Sequence, residues 1–83
     1  MKKKDITPSN DNGQPHGYWE SYHSNGQLHY KGKFINDNRN GLWEWHYDNG
    51  NLFSKGNYIN GKIDGQWERY HTNGQLYLKE YYI

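Results

Sequence analysis

The chain has no cysteine, no alanine and no valine. Without cysteine there is no disulfide framework and no thiolate metal centre. That fits a reducing compartment, and a cytoplasmic location is expected. Aliphatic residues are few: five Ile and five Leu among 83 residues. Ten such side chains cannot fill an ordinary enclosed core. No apolar run approaches the ~20 residues that a membrane-spanning helix needs. Lys2, Lys3 and Lys4 resemble the basic start of a signal peptide, but no apolar stretch follows from Asp5 to His16, so secretion by that route is not expected. There is no charge excess either. Ten basic and nine acidic residues leave a net charge of +1, far from the basic surplus of a nucleic-acid binder.

Aromatic residues are plentiful: four Trp, nine Tyr and two Phe. They are too many for a disordered polar chain. They are also regularly placed. Gly17-Tyr-Trp-Glu-Ser-Tyr-His-Ser-Asn-Gly-Gln-Leu28 recurs as Gly41-Leu-Trp-Glu-Trp-His-Tyr-Asp-Asn-Gly-Asn-Leu52 and as Gly65-Gln-Trp-Glu-Arg-Tyr-His-Thr-Asn-Gly-Gln-Leu76, with a period of 24. A fixed period of this length marks a repeat architecture. The units span residues 17–40, 41–64 and 65–83, within a repeat domain of residues 12–83. Residues 1–11 lie outside the pattern and read as a flexible tail, with Pro8 discouraging a paired strand.

Each unit reads as a β-hairpin. Asn25-Gly26, Asn49-Gly50 and Asn73-Gly74 suit a two-residue type I′ turn, in which both positions have positive φ. That register sets Glu20 opposite Lys31, Glu44 opposite Lys55 and Glu68 opposite Lys79, three favourable cross-strand pairs. It sets Trp19 opposite Gly32 and Trp43 opposite Gly56, so a large ring lies across a bare backbone. In the third unit Trp67 meets Glu80 instead. The short polar joints at 36–40 and 60–64 suit antiparallel neighbours. The expected fold is all-β: a single-layer antiparallel meander of three hairpins and about six strands.

Side chains alternate across a sheet. One face, expected to be packed, carries Trp19, Leu28, Tyr30 and Phe34, then Trp43, Trp45, Tyr47, Leu52 and Tyr58, then Trp67, Leu76, Leu78 and Tyr82. The structural residues are Trp19, Trp43 and Trp67 with the turn glycines Gly26, Gly50 and Gly74. The other face carries the Glu–Lys pairs and a stripe in which Tyr22 faces His29, His46 faces Phe53 and Tyr70 faces Tyr77. Exposed contiguous aromatics mark contact surfaces, so this stripe is the expected binding site.

The acids are spaced along a sheet and do not converge, as catalysis requires. No enzyme activity, cofactor or metal is expected. His23 and His29 fall on opposite faces in this register. The last strand is long, apolar and weakly charged. Leu76, Leu78, Tyr81, Tyr82 and Ile83 form an uncapped edge, and such edges seek partners. A protein partner is expected, with a homodimer through this edge as a further expectation. Binding of a small ligand or phospholipid headgroup on the stripe is the alternative. Three lysines are fewer than anionic-lipid recognition requires, so membrane binding is not the first expectation.

The pattern Gly-x-Trp-x-x-Tyr-x-x-Asn-Gly-x-Leu resembles the MORN repeat (membrane occupation and recognition nexus), in its bacterial variant form. The likeness covers residues 12–83, and the second unit departs from it by placing His46 at the Tyr position. It implies an open hairpin array and a non-catalytic interaction module. Bacterial relatives often carry the label of antitoxins, which implies inhibition of a toxin or host protein.

Overall fold

The computed structural model describes residues 4–82. Six strands follow one another: β1 (Gly17–Tyr22), β2 (Leu28–Ile35), β3 (Asn38–His46), β4 (Leu52–Ile59), β5 (Lys62–Tyr70) and β6 (Leu76–Tyr82). They pair in chain order as one antiparallel sheet. Among the described residues there is no helix. The sheet is 10 Å along its shortest axis, which is one layer. The fold is the expected all-β meander of three hairpins.

The turns differ from expectation. Gly26 N donates to His23 O at 2.9 Å, and His23 N donates to Gln27 O at 2.8 Å. These bonds close a three-residue loop, Ser24-Asn25-Gly26. Gly26 has φ +88°, while Asn25, Asn49 and Asn73 keep negative φ. The loop is a type I turn followed by a left-handed glycine, not a type I′ turn. The asparagine side chain is the reason. Asn25 Oδ1 accepts from Gln27 N at 2.9 Å, Asn49 Oδ1 from Asn51 N at 2.8 Å and Asn73 Oδ1 from Gln75 N at 3.0 Å. This local bond offers the backbone its own turn. Two-residue turns with both φ positive join the units instead, at Asn36-Asp37 (+45° and +77°) and Asn60-Gly61 (+50° and +84°).

The longer loop shifts the register at each hairpin end. Tyr22 faces Leu28, His46 faces Leu52 and Tyr70 faces Leu76. One step inward the expected pairing holds, from Ser21 opposite Tyr30 to Glu20 opposite Lys31.

Gly32 and Gly56 do lie under indole rings, but the rings come from the following unit. A Cβ on Gly32 would stand 2.0 Å from Trp43, and one on Gly56 would stand 2.0 Å from Trp67. A bulge brings each ring there. Asn40 pairs with Lys33 and Glu44 with Lys31, so Gly41 to Trp43 stand opposite the single residue Gly32.

Trp43, Tyr58 and Trp67 form the buried core, with Trp19, Tyr30, Phe34, Trp45 and Ile63 packed against it. The Arg39 guanidinium lies 4.9 Å from the Trp43 ring and 5.7 Å from Tyr58. It covers the cluster where a second layer would sit, as a cation over ring faces. Leu76 and Tyr82, expected on the packed face, are exposed, because β6 is an edge of the sheet among the described residues. Ile83 lies outside the described residues.

Residues 5–10, within the segment expected as a tail, are hydrogen-bonded to the rest of the chain. Ile6 and Glu20 exchange both backbone hydrogen bonds, at 2.8 and 2.9 Å. The Asp5 carboxylate accepts from Tyr22 N at 2.9 Å and from the Ser21 hydroxyl at 3.2 Å. The Pro8 carbonyl accepts from Trp19 Nε1 at 2.9 Å, as the Lys33 carbonyl accepts from Trp43 Nε1 at 3.0 Å. The segment thus stands where a preceding strand would stand and covers the outer edge of β1. Pro8 lacks an N–H, and the pairing is confined to bridges at Ile6–Glu20 and Ser9–Pro15.

Candidate functional site

Each strand places one charged residue in a single transverse row. The order is Glu20, Lys31, Glu44, Lys55, Glu68, Lys79. Adjacent members face each other within units and also between them. The sequence reading had only the pairs within units. Two of the ion pairs close between units, Lys31–Glu44 and Lys55–Glu68, each at 3.6 Å. Within a unit, Lys79 reaches Glu68 at 3.9 Å.

The acids are held from a second direction. The Tyr70 hydroxyl donates to Glu68 at 2.6 Å, and Gln66 Nε2 donates to it at 2.5 Å. Tyr22 donates to Glu20 in the same way. In the second unit His46 takes this place, with its Nε2 3.9 Å from the Glu44 carboxylate. Tyr70's hydrogen bond lowers the Glu68 pKa against the opposing effect of burial, and Lys55 lowers it further.

The same contact pushes the Tyr70 phenol up to about 12. An unfolded Tyr ionises near 10. The raised value therefore contributes stability below pH 10, and this is lost as pH rises from 10 towards 12. Alkaline unfolding followed by circular dichroism should show the wild type losing more stability over that window than Tyr70→Phe. Equal slopes would exclude the contact as the cause.

The six stripe residues are rearranged by the turn. His29 meets His23 at 4.3 Å with the rings tilted, Phe53 meets Tyr47 at 5.0 Å and Tyr77 stacks on His71 at 4.4 Å. The expected partners Tyr22, His46 and Tyr70 point into the charge row. Five of the six are half-buried, and only Tyr77 is exposed. His23 and His29 do not lie apart, as expected, but touch. Burial, and then the neighbouring His23, lower the His29 pKa. Among the described residues no group of three potential ligands could hold a metal ion.

Successive units are also joined along the turns. A His23 ring nitrogen lies 2.8 Å from the His46 carbonyl, and the Tyr47 hydroxyl donates to the Tyr70 carbonyl at 2.8 Å. Asn25 Nδ2 donates to Asp48 O at 2.6 Å, and Asn49 Nδ2 to Thr72 O at 2.9 Å.

Apart from Tyr77, the exposed apolar surface on the charge-row face lies outside the stripe. Alternation places Tyr18, Leu42 and Tyr81 on this face, two residues from the charges. Tyr18 is 71% exposed, Leu42 56% and Tyr81 72%. Tyr18 and Leu42 flank an open groove floored by Gly32 and bordered by Glu20 and Lys31. The sequence reading passed over Tyr18 and Leu42. Their signal was present, since both occupy the second position of a unit, where the third unit has Gln66.

The family model of the MORN repeat variant matches residues 15–36, 39–60 and 63–83. No curated protein and no solved structure matches the chain.

Proposed function

Since the chain belongs to the MORN repeat variant family, whose repeats generally serve in binding to membranes or proteins, we propose that it is a non-enzymatic module that binds another protein through its charge-row face. The observation that carries this reading is the exposure of Tyr18 and Leu42 beside charges held in fixed positions. Tyrosine is enriched in protein interfaces. Alternating fixed charges suit a partner of complementary pattern and penalise a shifted one. The phospholipid alternative has less support, because each lysine of the row already faces a glutamate. Occluding a toxin or a host protein is the inhibitory role implied by the label of bacterial relatives, and it rests on that resemblance alone.

The test is affinity capture with the wild type and with a Tyr18→Ser, Leu42→Ser double variant, beside flotation on phosphatidylserine vesicles. The expected result is a protein that the wild type retains and the variant loses, with no flotation. Equal capture by both, or flotation of the wild type, would overturn the reading.

A further inference from the structure

The first two units each hand the same contacts to the unit that follows. The ring at position 23 or 47 reaches a carbonyl of the next unit, and so does the amide of Asn25 or Asn49. Lys31 and Lys55 each reach forward to an acid. The third unit carries the same donors at His71, Asn73 and Lys79, and among the described residues β6 is the edge of the sheet. Among the described residues, the His71 ring nitrogens and the Asn73 amide nitrogen have no hydrogen-bond partner. Lys79, with no acid ahead of it, reaches back to Glu68 at 3.9 Å. The outer edge of β6 also offers unpaired backbone groups, a template for a further strand.

One position breaks the series. Glu80 stands where Gly32 and Gly56 stand in the earlier units. Those glycines leave no room even for a Cβ beneath the next unit's Trp. Glu80 therefore closes the tryptophan seat. The edge keeps the polar half of the junction and has lost the half that accepts another repeat.

We propose that the outer edge of β6 is a docking site for an extended segment of a different protein, paired antiparallel to β6. That segment carries an acidic side chain opposite Lys79, offers backbone carbonyls to His71 and Asn73, and has no tryptophan where one would meet Glu80. This rests on the protein-binding reading and narrows one mode of it to strand addition. Lys79 supplies charge complementarity, and Glu80 supplies rejection of the wrong strand. A second copy of this chain fits neither way. Its β1 would bring Glu20 to Lys79 but also Trp19 to Glu80, and its own residues 5–9 already cover that edge. In a two-fold pairing of β6 with β6, residues on one face meet residues of the same face. On the face of Lys79 these are Tyr77, Lys79 and Tyr81, so the lysine finds no acid.

The test uses two synthetic peptides that copy residues 38–48, the strand seated beside β2 as the docked segment would sit beside β6. One keeps Trp43 and the other carries Trp43→Gly. Each is titrated into the isotope-labelled full chain, and the amide resonances of Leu76 to Tyr82 are followed. The expected result is saturable shifts in β6 with the glycine peptide and about tenfold weaker binding of the tryptophan peptide. Glu80→Gly should bring the two affinities together, and Lys79→Glu should weaken both. Equal affinity of the peptides for the wild type would overturn the proposal, as would absence of saturable β6 shifts at millimolar peptide. A dimer seen by light scattering and broken by Lys79→Glu would assign the edge to a second copy and overturn it too. Should Lys79→Glu leave partner capture intact while Tyr18→Ser, Leu42→Ser abolishes it, the edge proposal fails and the binding face stands.

Discussion

Trp43→Ala is expected to lower the melting temperature by more than about 10 °C and to bring the sheet close to unfolding. Removing a buried Trp or Phe side chain costs about 3–5 kcal/mol, and a domain of this size has only about 5–15 kcal/mol in total. Trp43 has 0% exposure, and its ring is held on every side. It lies on Gly32, which has no room for a Cβ beneath it. Tyr30, Phe34, Trp45 and Tyr58 surround it with ring centroids between 4.9 and 6.5 Å away. Arg39 lies over it, and the Trp43 Nε1 donates to the Lys33 carbonyl. No second layer can collapse into the gap that alanine would leave. Trp19→Ala should cost clearly less, because Trp19 is half-buried and has neighbouring strands on one side only. Thermal melts of the two variants decide the matter, and equal losses would show that burial does not rank these rings.

Gly56→Ala should also be destabilising, although it adds only one methyl group. Gly56 pairs with Trp43 on one side and Trp67 on the other. Its φ lies outside the positive region, so the backbone would accept alanine. At such a site the change usually stabilises by about 0.4–1 kcal/mol through the unfolded chain. Here the new Cβ would fall 2.0 Å from Trp67 Cε3, and overpacking costs about 1–3 kcal/mol or more. The net sign should therefore be destabilising. Adding Trp67→Leu should make the alanine far less harmful than it is alone, a coupling that a double-mutant cycle measures. Additive effects would mean that the ring is not what rejects the methyl group.

Much of this fold was legible from the period of 24 and the Asn-Gly pairs. Glu20 with Lys31 and its two counterparts fixed the inner register of each hairpin, because a one-residue slip would break all three pairs together. The hairpin ends were misread because Asn25 can act in two ways. It tolerates positive φ, but its side chain also closes a local turn, and the second effect prevailed. The shift moved His29, Phe53 and Tyr77 from their expected partners onto His23, Tyr47 and His71. The junctions between units were hidden by the bulge at Gly41. The two-residue turn at Asn36-Asp37 alone would place Lys31 opposite Leu42, whereas the extra residues bring Glu44 there. Arg39 carried no signal, since an arginine between asparagines reads as solvated loop until the rings beneath it are seen. The strand-like role of residues 5–9 depends on contacts with β1 that no local pattern records.

The charge row repeats its chemistry every two strands, and this has a consequence for any protein that lies across it. Moving such a protein by one whole unit restores almost every contact, so a ligand one hairpin wide has three nearly equivalent berths. Two features break that degeneracy. His46 replaces the phenol that steadies Glu20 and Glu68, and Leu42 is succeeded by Gln66 in the next berth. A partner that must sit at one address on this surface has to read those differences, and one that ignores them is free to step from unit to unit along the sheet.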